Sequence, residues 1–152
     1  MLKLLTQFDD MFNYPCSHLV NPVNTHGVMG AGVAKRIDEM YPEACAEYRR
    51  RCWQRDYVPG NLIEEYTAVP GLKILHFPTK VDWKNPSLIE YIDAGFEGMI
   101  RKYGACQTEV RFNMPALGCG LGGLDFADVK DLAKQYFENA SFTVNLFPPK
   151  GQ

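Results

Sequence analysis

A strand-like run, a glycine-dense loop and an amphipathic segment follow one another twice in this sequence, and that unit narrows the fold more than any other feature. The later copy runs from Glu109-Val110-Arg111-Phe112-Asn113-Met114 through Pro115-Ala116-Leu117-Gly118-Cys119-Gly120-Leu121-Gly122-Gly123-Leu124 to a segment opened by Asp125. The earlier copy runs from His18-Leu19-Val20-Asn21-Pro22-Val23-Asn24 into Thr25-His26-Gly27-Val28-Met29-Gly30-Ala31-Gly32-Val33-Ala34. A glycine loop between strand and helix brings several backbone N–H groups close to an anion, and the helix N-terminus behind it adds partial positive charge. Two such loops in one small domain point to a ligand whose diphosphate is gripped from both sides.

The remaining pattern places both loops in an α/β fold. Apolar runs at 2–6, 19–23, 62–66, 74–77, 110–114 and 142–147 read as strands rich in Val, Ile, Leu and Phe. Helical periodicity lies between them: Val33, Ile37, Met40, Ala44 and Tyr48 within 32–54, with Pro42 breaking that run in two. Ser87-Leu88-Ile89-Glu90 has the spacing of a capping box, and Leu88, Ile92, Phe96, Met99 and Tyr103 continue one face behind it. Val129, Leu132, Ala133 and Tyr136 form the last stripe, with Asp125 as its N-cap. Strands alternating with helices predict a mainly parallel sheet covered on both faces, with ligands outside the carboxyl ends of its strands. The 152 residues suit a single domain over 1–152.

Composition removes several alternatives. The 16 basic and 18 acidic residues nearly balance, so nothing global argues for a polyanionic partner. Five cysteines without paired metal spacing read as reduced thiols in a cytoplasmic setting, with Cys45 and Cys52 packing on one helix. No apolar run reaches membrane-spanning length, and the three histidines lack ligand spacing, so neither a membrane partner nor a metal is expected.

Taken together, the Val20-Asn21-Pro22-Val23-Asn24 strand end and the two glycine loops resemble a macrodomain, the three-layer α/β/α module with a central mixed, mainly parallel sheet that binds ADP-ribose. The resemblance covers essentially the whole chain. Phe77-Pro78-Thr79-Lys80, Trp83, and the segment from Ser87 to Gly95 are most similar to the DarG antitoxin branch, related to the vertebrate terminal ADP-ribose glycohydrolase. The resemblance implies that Asp10, eleven residues before Asn21, binds the adenine amino group, although the glycine usual before that acid is absent. It implies that Asn24 reaches the distal ribose and that Phe147 packs at the adenosine end. Gly30, Gly32, Gly118, Cys119, Gly120, Leu121 and Gly122 would shape the cradle for diphosphate and ribose. Lys80 would act at the anomeric carbon. The vertebrate enzyme carries an aspartate where this chain has Gly122, as the DarG branch also does.

The implied activity is removal of ADP-ribose from a modified target, ADP-ribosylated single-stranded DNA above all, without a cofactor, and with an ADP-ribosyltransferase toxin as partner. Two rivals stay open: an ADP-ribose 1″-phosphate phosphatase or O-acyl-ADP-ribose deacylase, and a module that binds ADP-ribose without turnover. Several residues carry plainer readings beside these. His26 is either a ribose or substrate contact or an ordinary loop residue, and Trp83 either stacks on a nucleobase of the substrate or caps the sheet edge. His76 reads as a satisfied core histidine, Cys119 as a small residue in a tight loop, and Arg49-Arg50-Arg51 with Arg55 as a solvated face, with a nucleic-acid-contacting patch as its alternative.

Overall fold

Each of the six apolar runs forms a strand in the computed structural model, which describes residues 1–150. The elements are β1 (Leu2–Leu4), β2 (His18–Asn24), α1 (Gly32–Met40), a 3-10 turn (Pro42–Cys45), α2 (Ala46–Trp53), β3 (Ile63–Tyr66), β4 (Lys73–Lys80), α3 (Ile89–Tyr103), β5 (Arg111–Met114), α4 (Phe126–Phe137) and β6 (Thr143–Leu146). Pro42 splits the 32–54 helical run as expected, because proline at the first position of the short turn cannot continue the preceding helix.

The sheet order is β1-β6-β5-β2-β4-β3, and every pairing is parallel except β3 with β4. Side chains alternate between its faces. Val20, Leu75, Phe77, Phe112 and Val144 enter the core under α3 and α4, while Leu19, Val23 and Ile74 enter the core under α1 and α2. The result is the three-layer α/β/α arrangement. Fully buried aromatics such as Phe77, Phe96, Phe112 and Phe137 each contribute about 1.5–3 kcal/mol of hydrophobic stabilisation. Five parallel strands send their carboxyl ends to one edge, so the segments after β1, β2, β4, β5 and β6 share that rim.

Two local expectations change. Pro78 does not end the central strand; β4 continues to Lys80, and the β2–β4 register shifts so that Val23 faces Pro78 while Asn24 faces Lys80. Thr79 is the extra residue of this bulge, in keeping with a proline that cannot donate to the ladder. The capping box is the second change. Helix α3 begins at Ile89 with Leu88 as an extended N-cap that makes no side-chain cap bond. Ser87 lies beneath the second glycine loop instead, its N–H donating to the Gly122 carbonyl at 3.0 Å. Tertiary packing overrides the local signal there.

Candidate functional site

Of the predicted site residues, His26, Gly30, Trp83 and Gly118 to Gly122 lie on three connected rim segments, 25–31 after β2, 81–88 after β4 and 115–125 after β5, while Asn24 and Lys80 end their strands, Gly32 opens α1, and Asp10 and Phe147 stand apart. The middle segment fastens the outer two. Thr25 N–H donates to the Val81 carbonyl at 3.0 Å, and Ser87 N–H reaches Gly122 at the same distance. Asp82 organises the turn between them, accepting from the Lys84 amide at 3.0 Å and lying 3.9 Å from His26 Nδ1.

Asn24 and Lys80 stand side by side on neighbouring strands through the bulge. The Asn24 side chain is nearly buried and holds the first loop in shape. Its Oδ1 accepts from the amides of His26 and Val28 at 3.0 and 3.2 Å, and its Nδ2 donates to the Val28 carbonyl at 2.7 Å. Tyr48 supports the same residue from below, donating to its backbone carbonyl at 2.7 Å. Lys80 Nζ donates to the Trp83 carbonyl at 3.3 Å and makes no salt bridge among the described residues. Trp83 is half exposed, with the Lys84 ammonium 5.5 Å from its ring centroid.

The glycines divide by what surrounds them. A Cβ on Gly32 or Gly120 would meet nothing within 4 Å, and one on Gly30 would touch only Val28, so these positions face open space. Gly118 needs its left-handed φ of +74° to turn the chain, where a side chain is strained. A Cβ on Gly122 would come closer than 3.0 Å to Ser87 Oγ and to the Gly118 carbonyl. That crowding is the physical reason no aspartate can stand at Gly122 on this backbone. Among the described residues, the amides of Gly120, Leu121 and Gly122 donate to no protein acceptor. Leu121 is 84 % exposed at the loop tip.

The two helix N-termini behind the loops are not equivalent, and the expected Asp125 cap is the reason. Asp125 caps α4, its Oδ1 accepting from Ala127 N–H at 3.0 Å, so a carboxylate already occupies that end. Helix α1 has Ala31 as an uncapped N-cap and no acidic residue in its first turn. The favourable helix end for a phosphate is therefore that of α1.

At the β1 side, both carboxylates are engaged in their own turns. Asp9 Oδ2 accepts from Thr6 N–H and Oγ1 at 2.7 and 2.9 Å, bonds that hold its carboxyl below the ordinary range. Asp10 accepts from the Phe12 amide and the Asn13 side chain, with Arg36 Nη2 at 3.9 Å and the Arg36 guanidinium stacked 4.0 Å over the Phe12 ring. Phe147 is buried edge-on against Tyr14 and backs the rim rather than offering an open ring face. Sequence reasoning missed Arg36 and Phe12, which carry no motif, and Ser87, whose spacing imitates a cap.

Several plain readings hold. His76 is wholly buried, with Nε2 2.7 Å from the Ala44 carbonyl and 2.9 Å from Glu65 and Nδ1 3.2 Å from Asn21 Nδ2. Burial would raise the Glu65 carboxyl, but His76 and the amides of Glu47 and Tyr48 together hold it below the ordinary range. Burial, aided by the Asp125 charge, pushes the Cys119 thiol up to about 11, which removes a nucleophilic thiolate. Arg49 and Arg50 pair with Asp38 and Glu47 on a solvated face. Cys45 and Cys52 both pack in the core under α1 and α2, but not on one helix: Cys45 ends the 3-10 turn that Pro42 opens, and Cys52 lies in α2. No helix among the described residues is long and apolar enough to cross a membrane.

Comparison with known proteins agrees with this geometry. The Macro domain family model matches residues 20–133. A Mycobacterium tuberculosis protein named DNA ADP-ribosyl glycohydrolase is 34 % identical over 93 % of this chain and 41 % of its own length. The solved macrodomain of Mycobacterium tuberculosis DarG superposes with a TM-score of 0.89 at 32 % identity, covering 98 % of both chains. A Thermosipho africanus protein named as a fusion of DNA ADP-ribosyl transferase and DNA ADP-ribosyl glycohydrolase is 31 % identical over 92 % of this chain and 40 % of its own length. The structure of Thermosipho africanus DarTG in complex with ADP-ribose has a TM-score of 0.87 at 29 % identity, covering 99 % of this chain and 42 % of that one. The chain thus spans about two fifths of the length of these curated relatives.

Proposed function

The chain belongs to the macrodomain family, and from that premise we propose that it binds ADP-ribose across the rim and removes it from modified single-stranded DNA. Backbone amides of the second loop and the uncapped end of α1 hold the diphosphate. Asp10 takes the adenine amino group and Asn24 the distal ribose, with Phe147 packed behind. Lys80 acts at the anomeric carbon of that ribose. The bond from this carbon to the DNA breaks, the DNA leaves with the bonding pair and gains a proton, and water supplies the hydroxyl of free ADP-ribose. His26 and Trp83 stand at the mouth where the DNA base leaves. An ADP-ribosyltransferase that makes the modified DNA is the matching partner, a reading supported by the transferase fused to the same domain in the Thermosipho africanus relative.

The observation that supports this reading most is the β2–β4 register, which sets Lys80 opposite Asn24 at the start of the first glycine loop. The test is incubation with ADP-ribosylated DNA, ADP-ribosylated protein and ADP-ribose 1″-phosphate side by side. The DNA should be the substrate, and Lys80→Ala should cut its hydrolysis by roughly 10²–10⁴-fold while ADP-ribose affinity is largely kept. Lys80→Arg should not restore it, since a guanidinium stays protonated. Full hydrolysis by Lys80→Ala refutes the role of the lysine. A second reading, binding without turnover, draws on the Lys80 ammonium being held by the Trp83 carbonyl; it takes over if the wild type cleaves none of the three.

A further inference from the structure

Outside the rim, a cleft of about 380 Å³ opens between α3 and the segment joining α2 to β3, and cations from two helices converge on it. Arg51 comes from the last turn of α2, and Arg101 and Lys102 come from the last turn of α3. The facing wall is the turn from Val58 to Asn61, closed by the Asn61 amide on the Val58 carbonyl at 3.1 Å. Pro59 and Gly60, the latter at φ +92°, fit the central positions of a type II turn. Gly98 lets the helix approach that turn; a Cβ there would lie 3.2 Å from the Gly60 carbonyl.

Acids border the cleft without saturating it. Asp56 takes Arg51 Nε at 2.9 Å, and Glu97 lies 3.9 Å from Arg101 Nη1. Each guanidinium keeps further N–H donors free. Lys102 has no carboxylate partner among the described residues, and its ammonium sits 5.8 Å from the Tyr103 ring centroid. Among the described residues no aromatic side chain lines the cleft, so it offers charge and hydrogen bonds without a stacking platform. That chemistry suits a phosphodiester backbone and not a base.

Its position relative to the rim sets its use. Helix α3 starts two residues after Ser87, which is bonded to the second glycine loop. At 1.5 Å of rise per residue, Gly98 lies about 13 Å and Arg101 about 18 Å along the helix from its start. At the other end, Arg51 adjoins Cys52, whose Cβ is 3.3 Å from the Cβ position of Gly27 in the first loop. A short stretch of single-stranded nucleic acid leaving the mouth beside Trp83 spans that distance.

We infer that this cleft is a second anion subsite, which takes the backbone phosphates of single-stranded DNA flanking the modified nucleotide. The assignment to DNA rests on the activity proposed above; the cleft itself is distinct from the ADP-ribose pocket. Fluorescence anisotropy with an unmodified single-stranded oligonucleotide tests it directly. Two phosphate contacts give a slope of about −1.4 in log affinity against log salt, so fourfold more salt weakens binding about sevenfold. The double variant Arg101→Glu with Lys102→Glu should lose that salt dependence and bind the oligonucleotide at least about tenfold more weakly, while calorimetry shows unchanged ADP-ribose affinity. On ADP-ribosylated oligonucleotide the variant should raise KM, and on an ADP-ribosylated mononucleoside it should behave as the wild type. Equal oligonucleotide binding by variant and wild type, or equal KM on the long substrate, overturns the subsite and leaves the hydrolase intact. Salt-dependent oligonucleotide binding that the double variant loses, in a wild type that cleaves nothing, keeps the subsite and removes the hydrolase.

Discussion

Gly95→Ala on α3 isolates the packing between helix and sheet that positions the end of β4. A methyl group at this position would come closer than 3.0 Å to three atoms of the Phe77 ring, which is wholly buried. Comfortable carbon contacts lie near 3.5–4.0 Å, so either the ring or the helix must move. Overpacking of this kind costs about 1–3 kcal/mol, and the upper end applies because Phe77 is also wedged against Phe96, 5.7 Å between centroids. Alanine regains about 1 kcal/mol of helix propensity over glycine, leaving a net loss of about 2 kcal/mol. For a domain of this size that lowers Tm by about 6 °C. Thermal melts followed by circular dichroism, with and without Phe77→Leu, provide the assay. The shorter side chain should recover part of the loss in the double variant beyond additivity. A Gly95→Ala variant melting at or above the wild-type temperature would refute the reasoning, because propensity alone would then decide the sign.

Glu64 should make the protein acid-sensitive. The His18 hydrogen bond at 2.6 Å, opposed by burial and joined by Tyr103, holds its carboxyl at about 2. A depressed carboxyl stabilises the fold above its unfolded value near 4.3 and loses that contribution as pH falls toward about 2; after discounting for solvent screening this is about 1–2 kcal/mol. Urea melts at pH 7 and pH 3 should show a smaller difference for Glu64→Gln than for the wild type, and parallel profiles would contradict the account. Asp125→Ala removes the α4 cap and should cost about 1 kcal/mol, or about 3 °C in Tm, while ADP-ribose affinity holds. Loss of that affinity in calorimetry would mean that the carboxylate touches the ligand.

The strands were legible because both faces of a covered parallel sheet are largely apolar, which leaves clusters such as Leu19-Val20 and Ile74-Leu75, and even the β5 run, interrupted by Arg111 and Asn113, keeps Val110, Phe112 and Met114. The glycine loops were legible because only glycine tolerates Gly118's conformation and the crowding at Gly122. What sequence could not convey was which signal wins when two compete. Ser87 has the spacing of a cap, but the second loop claims its backbone. Pro78 reads as a strand end, yet the ladder absorbs it as a bulge and carries on to Lys80. The Asp125 cap was legible as well, and the structure adds that its carboxylate occupies the α4 start while Ala31 leaves that of α1 uncapped. The arginine run likewise divides only in three dimensions: Arg49 and Arg50 meet acids on the solvated face, and Arg51 turns into the cleft.

Segment 81–88 is fastened to the first loop through Thr25 and to the second through Ser87. It therefore works as a tie-bar across the mouth. Because one short segment carries both bonds, the positions of the two loops are set together rather than separately. A substitution that reshapes the turn held by Asp82 should therefore alter both loops together, although Asp82 itself bonds within its own segment.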